Sequence, residues 1–500
     1  MRTKEKIRSI LIANRGEIAI RIARTAQKMG IKAVGIRTQK EPNAHYLNQM
    51  DIVLDFPERE KNDVPEFLDI ESLVLLAKRN KVDAIHPGYG YLSENSTFAI
   101  RCTEEGIIFI GPSPRIIQNM GDKVVAKEIA AKAGVPMLGS SKGSVDTLET
   151  AFQVATEIGY PLIIKASAGG GGRGMRIVRK EDDLKQMYFA ATSEAMLAFN
   201  NPSVFIEKYL ENPHHIEIQI VADNYGNVVH LGERECSIQR KHQKLLEEAP
   251  SPALDEVLRK KITGAAVNLA KEAGYVSLGT VEFLLDKEKN FFFMEMNTRV
   301  QVEHPVTEMI TGLDLIELQI RVARGEKLPV KQNDIKLNGW AIECRINAED
   351  PQSGFSPCLG VIKALRVPSG DGIRIDTGVV VGSEVTPYFD SMIAKLIVHA
   401  PSREEVIAKT LKALSEFHIK GVKTTIPFDK AVLHNDVFRI GDFDTSFIEK
   451  DMKAMVHKEE HEEYLAALFV THHFERKAKA PAFVEKEDSA WVLRNKLNFK

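Results

Sequence analysis

Five polar side chains recur at every second position in one short segment: Glu295, Asn297, Arg299, Gln301 and Glu303, within GTVEFLLDKEKNFFFMEMNTRVQVEHPVTE, residues 279–308. In an extended chain this spacing puts all five on one face, with Met296, Thr298, Val300 and Val302 on the other. A plain exposed sheet face has the same alternation. The segment before it sets this one apart. A turn centred on KEKN pairs Asp286 with Phe291, and the same register sets Glu282 opposite Glu295. Directly opposed residues have Cβ atoms about 5 Å apart, and like charges so placed are destabilising. A cation between them removes the repulsion. With Asn297 two residues along, the ligand set is all oxygen, which suits Mg²⁺ or Mn²⁺ better than zinc.

A second stretch, KASAGGGGRGM, runs from Lys165 to Met175. A P-loop is excluded, because Arg173 and Gly174 stand where Lys and then Ser or Thr are required. A dinucleotide fingerprint needs a helix after its glycines, whereas MRIVRK is alternating and β-branched. With YPLIIKA in front, the segment reads as strand, glycine tip and strand. Backbone N–H groups without Cβ atoms can close over an anion, and Lys165 and Arg173 add charge that suits phosphate. A merely long turn is the simpler reading, yet four consecutive glycines cost conformational entropy that a plain turn does not require. A hard divalent cation beside a phosphate lid points to nucleotide phosphoryl transfer, where the protein chiefly positions groups and neutralises charge.

The elements that would position these groups follow from the rest of the chain. Five hundred residues exceed one ordinary core and suggest about three domains of ~150 residues. With 67 basic and 69 acidic residues the formal charge is −2, so the overall charge gives no reason to expect nucleic acid or an anionic membrane as partner. Cys102, Cys236, Cys344 and Cys358 are far apart and form no C-x-x-C pair, so neither a zinc site nor a disulfide framework is indicated, and a reducing cytoplasm fits best. The apolar run near the start breaks at Asn14 and Arg15, too soon for a signal sequence, and no run approaches the ~18 residues of a membrane span. RSILIAN, KAVGIR, VDAIHPG and GIIFIGPS read as strands, and GEIAIRIARTAQKMG and DIESLVLLAKRN as the helices between them. That rhythm predicts a parallel sheet with functional groups at the C-terminal ends of its strands, where HPGYGYLSEN lies. KVVAKEIAAKAG, DLIELQIRVARG and SREEVIAKTLKALSEF read as later helices, and MNTRVQVEHPVTEM as the end of a strand-rich region.

MGDK, IIKASAGGGGRGM, EKYLE, HHIEIQ, RKHQKLLEEAP and FMEMNTRVQVEHPVTE together resemble the ATP-grasp module of the biotin carboxylases, and ANRGEIAIR, HPGYGYLSEN and ECRINAED extend the resemblance over residues 1 to about 450. It implies an α/β protein in four parts. A Rossmann-like parallel sheet would occupy residues 1–115 and an ATP-grasp domain 122–335, with a mobile lid at about 138–209. A mixed α+β C-terminal domain would follow at 336–450, and a helical extension at 451–500. It also implies that ATP is cleaved to ADP while bicarbonate is activated as carboxyphosphate, and that the carboxyl group then passes to biotin. By the same resemblance Lys123, Lys165, Gly171 and Gly172 hold ATP phosphates. Glu207, Lys208 and Leu210 meet the adenine, with His215, Gln239 and His242 nearby. Glu282, Glu295 and Asn297 bind two Mg²⁺ or Mn²⁺ ions. Lys244, Arg299, Gln301 and Val302 take bicarbonate, and Glu303 is the general base. Tyr89, Gly90 and Arg345 face biotin.

Bland readings stand beside some of these: His86 as a residue that shapes the turn at Pro87, His214 as a surface neighbour of His215, and Lys208 as a solvated charge. Ala168 stands where many relatives have glycine, and residues 37–63 fit the family poorly. Met452-Lys453-Ala454-Met455 is a decoy for biotinylation, because a carrier lysine sits in Met-Lys-Met on a small β domain. The expected partners are therefore a separate biotin carboxyl carrier protein and a carboxyltransferase subunit, and the resemblance implies a homodimer. The acceptor chemistry lies on another chain: an acyl-CoA such as acetyl-CoA first, then pyruvate or 2-oxoglutarate.

Overall fold

The computed structural model describes residues 6–57, 64–166, 175–199 and 201–450. Gly171, Gly172, Arg173, Ala168 and Lys453 lie outside them, as does the expected extension.

Five strands form a parallel sheet in the spatial order Ile52–Asp55, Lys32–Arg37, Ser9–Ile12, Ala84–His86, Ile108–Phe109. The helices Gly16–Lys28 and Ile70–Arg79 fall where periodicity puts them, the second opened by Asp69, whose carboxylate accepts the Ser72 N–H. The edge strand Ile52–Asp55 was not anticipated. Its side chains are half-buried or exposed, so it lacks the buried apolar run that marks its neighbours. The strand order reverses between Ser9–Ile12 and Ala84–His86. There Asn14 Nδ2 donates to the carbonyls of Pro87 and Tyr89, both at 2.8 Å, tying the two following loops together. Gly88 makes the approach possible: it has φ +65°, and a Cβ there would lie 2.8 Å from Asn14 Nδ2.

The second sheet has eight antiparallel strands in the order Phe291–Asn297, Ser277–Leu285, His214–Ala222, Val228–Arg240, Gln243–Ala249, Trp340–Asn347, Met392–Ala400, Ile373–Thr377. It runs across the boundary expected at 335/336, since Leu246 pairs with Cys344 and Ala249 with Ala341. Period-two alternation gives its central strands two unlike faces. Ile216, Ile218, Ile220, Val281 and Phe283 pack with Leu258, Ile262 and Leu269 of the helix Glu256–Glu272. Each such side chain contributes about 1.5–3 kcal/mol on burial. The opposite face carries Glu217, Gln219, Thr280 and Glu282, all buried.

A three-stranded sheet, ordered Met175–Val178, Leu162–Ala166, Val204–Lys208, lies within the segment expected as the lid. Lys165 pairs with Met175, so the glycine run does join two antiparallel strands. No described helix is long and apolar enough to cross a membrane.

Candidate active site

The facing carboxylates are present, but the register that brings them together is not the one the turn implies. At the turn Leu285 pairs with Phe291, and the Asp286 N–H donates to the Asn290 carbonyl, one residue off the expected pairing of Asp286 with Phe291. A β-bulge between Glu282 and Phe283 on the ladder absorbs one residue, and beyond it Glu282 pairs with Glu295, Val281 with Met296 and Thr280 with Asn297. The strand was also expected to continue to Glu303 and instead ends at Asn297. The Thr298 N–H is taken by Glu94 Oε1 at 3.0 Å rather than by a strand partner, and Pro305 opens the helix His304–Thr311. Gln301 and Glu303 therefore sit in a turn that folds back over the polar face of the sheet.

That turn completes a row. Glu295, Glu282, Glu217 and Arg234 are successive cross-strand neighbours on four strands. Lys244 reaches over the row: its Nζ donates to Glu217, to Glu282 Oε1 at 3.1 Å and to Glu303 Oε1 at 2.9 Å. Arg345 Nη2 donates to the other Glu303 oxygen at 2.9 Å, and its Nε to Glu247 Oε1 at 2.7 Å. Glu282 also accepts from Asn297 Nδ2 and Gln301 Nε2, each at 2.7 Å, and lies 2.8 Å from His215 Nε2. Gln239 Nε2 backs the same imidazole, 3.3 Å from Nδ1. Arg299 Nε donates to Glu94 Oε2 at 2.9 Å and Nη2 to Asn297 Oδ1 at 3.1 Å. The Val302 carbonyl accepts from Lys395 Nζ at 2.6 Å.

Burial alone would raise the Glu303 carboxyl, but Lys244, Arg345 and Arg234 hold it well below the usual carboxylate range. Burial likewise opposes ionisation of Glu282, and Lys244 with His215 reverses that. Lys244 is desolvated as well, and three carboxylates keep it charged. Glu295 goes the other way: crowding by protein and the charge on Glu282 push its carboxyl up. An unbalanced pair of facing carboxylates with an amide oxygen beside it is the chemistry of a hard divalent-cation site, so Glu282, Glu295 and Asn297 fit such an ion.

Toward the lid, Glu207 pairs with both Lys165 and Lys127. Lys127 is buried enough to lower the pKa of its ammonium, and the charges of Lys165 and Lys123 add to that. Lys123 is the first residue of the helix Lys123–Lys132. Lys208 is not a solvated charge: its Nζ donates to the Tyr160 carbonyl at 2.7 Å. Leu210 is half-buried, and His242 is exposed at the tip of the hairpin after Arg240, where Lys241 and His242 both take positive φ. His86 does shape its turn, since its buried Nδ1 accepts the Gly88 N–H at 3.0 Å. His214 is half-buried against Glu235 rather than a surface residue. Gly90 is exposed, and the Tyr89 hydroxyl donates to Glu17 Oε1 at 2.5 Å.

Sequence reasoning missed Glu217, Arg234, Glu247, Glu94, Lys127 and Lys395. For Glu217 the signal was there, because HHIEIQ alternates isoleucine with a polar residue as plainly as residues 295–303 do.

Residues 6–117 match the family model for the N-terminal domain of biotin carboxylase, 343–450 that for its C-terminal domain, and 122–331 that for the ATP-binding domain of the carbamoyl-phosphate synthase L chain. Biotin carboxylase 1 of Bacillus subtilis is 50% identical over 444 residues, 89% of this chain and 98% of that protein. The small subunit of the 2-oxoglutarate carboxylase of Hydrogenobacter thermophilus is 47% identical over 471 residues, 93% of this chain and 99% of that one. Among solved structures, the biotin carboxylase domain dimer of the Hydrogenobacter thermophilus 2-oxoglutarate carboxylase, in complex with MgADP, ADP and bicarbonate, superposes with a TM-score of 0.86. It is 48% identical and covers 90% of this chain and 99% of that one. With half of its residues identical across nearly the whole of a relative, and a matching model for each third of the fold, the chain belongs to the biotin carboxylase family.

Proposed function

We propose that this chain carboxylates biotin held on a separate carrier protein, using ATP and bicarbonate and releasing ADP and phosphate, as the first half-reaction of an acyl-CoA carboxylase. The observation that carries the reading is the meeting of Lys244 and Arg345 on the two oxygens of Glu303, with Glu282 and Asn297 alongside. A base, two cations and a divalent-metal set within one cluster are the groups that bicarbonate attack on a γ-phosphate requires.

In this reading Lys123, Lys165 and the lid backbone at Gly171 and Gly172 hold the ATP phosphates, while Glu207, Lys208 and Leu210 with His215, Gln239 and His242 receive the nucleoside. Glu282, Glu295 and Asn297 would hold Mg²⁺ or Mn²⁺, which would supply charge neutralisation at the transferring phosphoryl group. Lys244, Arg299, Gln301 and the Val302 main chain orient bicarbonate. Glu303 is ionised at neutral pH and takes the bicarbonate proton as the oxygen attacks. It gains basicity when the bicarbonate anion draws Lys244 and Arg345 from it. The carboxyl group then passes from carboxyphosphate to the biotin ureido nitrogen in front of Tyr89 and Gly90: its C–O bond to phosphate breaks, the leaving phosphate takes the N–H proton, and Arg345 offsets the negative charge that develops on the ureido oxygen. The ATP-grasp, C-terminal and N-terminal spans expected from sequence are the parts in which these roles are divided.

A pyruvate or 2-oxoglutarate carboxylase is the second reading for the complete system, since relatives of this chain carry those names. The partners are a carrier protein and a carboxyltransferase subunit, the chain acts as a homodimer, and the cytoplasm is its compartment. The test is ADP release by the purified chain with Mg²⁺ and bicarbonate, with and without free biotin. Stimulation by biotin that requires bicarbonate supports the reading. ATP turnover indifferent to both excludes it.

A further inference from the structure

A chain of buried polar contacts runs behind the site and joins its two halves. The Tyr89 hydroxyl donates to Glu17 Oε1 at 2.5 Å, and that oxygen lies 3.1 Å from Lys395 Nζ. Lys395 Nζ donates in turn to the Val302 carbonyl at 2.6 Å, one residue before Glu303. The three links come from separate places: the loop after Ala84–His86, the helix Gly16–Lys28 and the strand Met392–Ala400. Glu17 is 5% exposed and Lys395 not at all. A fully desolvated ammonium is costly unless every direction around it is used. Here one direction goes to a carboxylate and another to a main-chain carbonyl of the base-bearing turn. The other charges acting on it are Glu343 and Asp376, which attract, and Arg374, which repels. The turn is closed within itself by His304, whose Nδ1 lies 2.8 Å from the Gln301 carbonyl. With both of those carbonyls engaged, the direction of Glu303 depends on where Lys395 stands, and Lys395 is placed by the carboxylate that the Tyr89 loop also grips.

We propose that Glu17 and Lys395 are positioning residues that couple the Tyr89 loop to the Val302–Glu303 turn, so that a change on the biotin side re-aims the groups on the bicarbonate side. The roles of the two sides rest on the function proposed above; the coupling itself rests on the contacts.

The test measures ADP release against bicarbonate and against free biotin for Tyr89→Phe, Glu17→Gln, Lys395→Met, Lys395→Arg and the Tyr89→Phe/Lys395→Met double variant. Lys395→Met is expected to raise the KM for bicarbonate tenfold or more. Tyr89→Phe should raise it several-fold although Tyr89 faces biotin, and the double variant should be no worse than Lys395→Met alone. Lys395→Arg, which can still bridge Glu17 and the carbonyl, should recover most of the loss. An unchanged bicarbonate KM in Tyr89→Phe, or effects that simply multiply in the double variant, would overturn the coupling. Amide exchange gives a readout that needs no turnover. Residues 301–304 should exchange at least tenfold faster in Tyr89→Phe and Glu17→Gln while the neighbouring sheet is unaltered; uniform loosening would mean a merely structural ion pair. An inactive wild type would remove the assigned activity and leave the exchange result to decide the coupling.

Discussion

Arg234→Met is the change whose cost is best defined by the geometry. The guanidinium is fully buried and its five N–H groups make six contacts, three of them shared by the two hydrogens of Nη2: two to Glu217 Oε2 (3.1 and 2.9 Å), one each to Gln219 Oε1 and Gln301 Oε1 (both 2.6 Å), and one each to Thr307 and Thr280 (3.1 and 3.2 Å). Removing one partner of a buried ion pair costs about 3–5 kcal/mol, because the remaining charge has no water to return to. Two orphaned amide oxygens add about 1–3 kcal/mol each before any relaxation. The sum is a large fraction of the 5–15 kcal/mol that holds a typical domain together, so urea unfolding of Arg234→Met should shift strongly to lower denaturant. Arg234→Lys should recover little, since a point charge with three donors cannot follow a planar fork that meets five residues. The damage also reaches the chemistry. Gln301 Oε1 accepts from Arg234 while Gln301 Nε2 donates to Glu282, so loss of the arginine frees an expected bicarbonate ligand. Bicarbonate-dependent ATP hydrolysis by the folded fraction should fall by about 10²-fold, the scale for losing one preorganised electrostatic contact. A variant within about 1 kcal/mol of the parent in stability, with activity within threefold, would refute the reasoning.

Other changes have equally definite expectations. Lys244→Met should lower kcat/KM for bicarbonate by at least about 10²; because Lys244 helps hold Glu303 ionised, the acid limb of the pH–rate profile should also move to higher pH, and an unmoved limb would contradict the assigned contact. His86 is held neutral in the fold, with its pKa lowered by burial to about 3. The unfolded chain therefore gains a proton below about pH 6.5 that the native state refuses, and stability should fall by ~1.4 kcal/mol per pH unit as pH drops below that value. His86→Asn keeps an acceptor for the Gly88 N–H and should flatten that slope in denaturation series from pH 7 to 5. Gly378→Ala should cost about 1–3 kcal/mol, because its Cβ would lie 2.8 Å from the Glu17 backbone nitrogen and 2.9 Å from Gly16, with no flexible side chain to yield; calorimetry checks it.

Much of the site was legible because its residues lie on strands, where period-two spacing assigns faces. The two strands on either side of the glycine run, and Glu282 opposite Glu295, could be placed in this way. The second placement held although the turn register was one residue off, because the bulge restores the pairing at the carboxylates; a bulge leaves no mark in spacing alone. The strand could not be followed to Glu303, because what ends it is Glu94, 204 residues away in sequence, capturing the Thr298 N–H. Arg234, Glu247 and Lys395 were missed because each owes its role to long-range partners. Nothing local tells a buried arginine bridging five residues from a solvated one. The single eight-stranded sheet was equally hidden, since its middle seam joins residues about a hundred positions apart.

The central claim is that Glu303, between Lys244 and Arg345, takes the proton that allows bicarbonate to be activated and passed to biotin. The direct measurement is the formation of labelled carboxybiotin from labelled bicarbonate, Mg-ATP and a biotinylated carrier domain, by the parent chain and by Glu303→Gln. Label on biotin with the parent, and at least ~10²-fold less with Glu303→Gln at retained ATP binding, is the predicted result. Label transfer that survives the substitution, or none from a parent chain that still hydrolyses ATP, would contradict it.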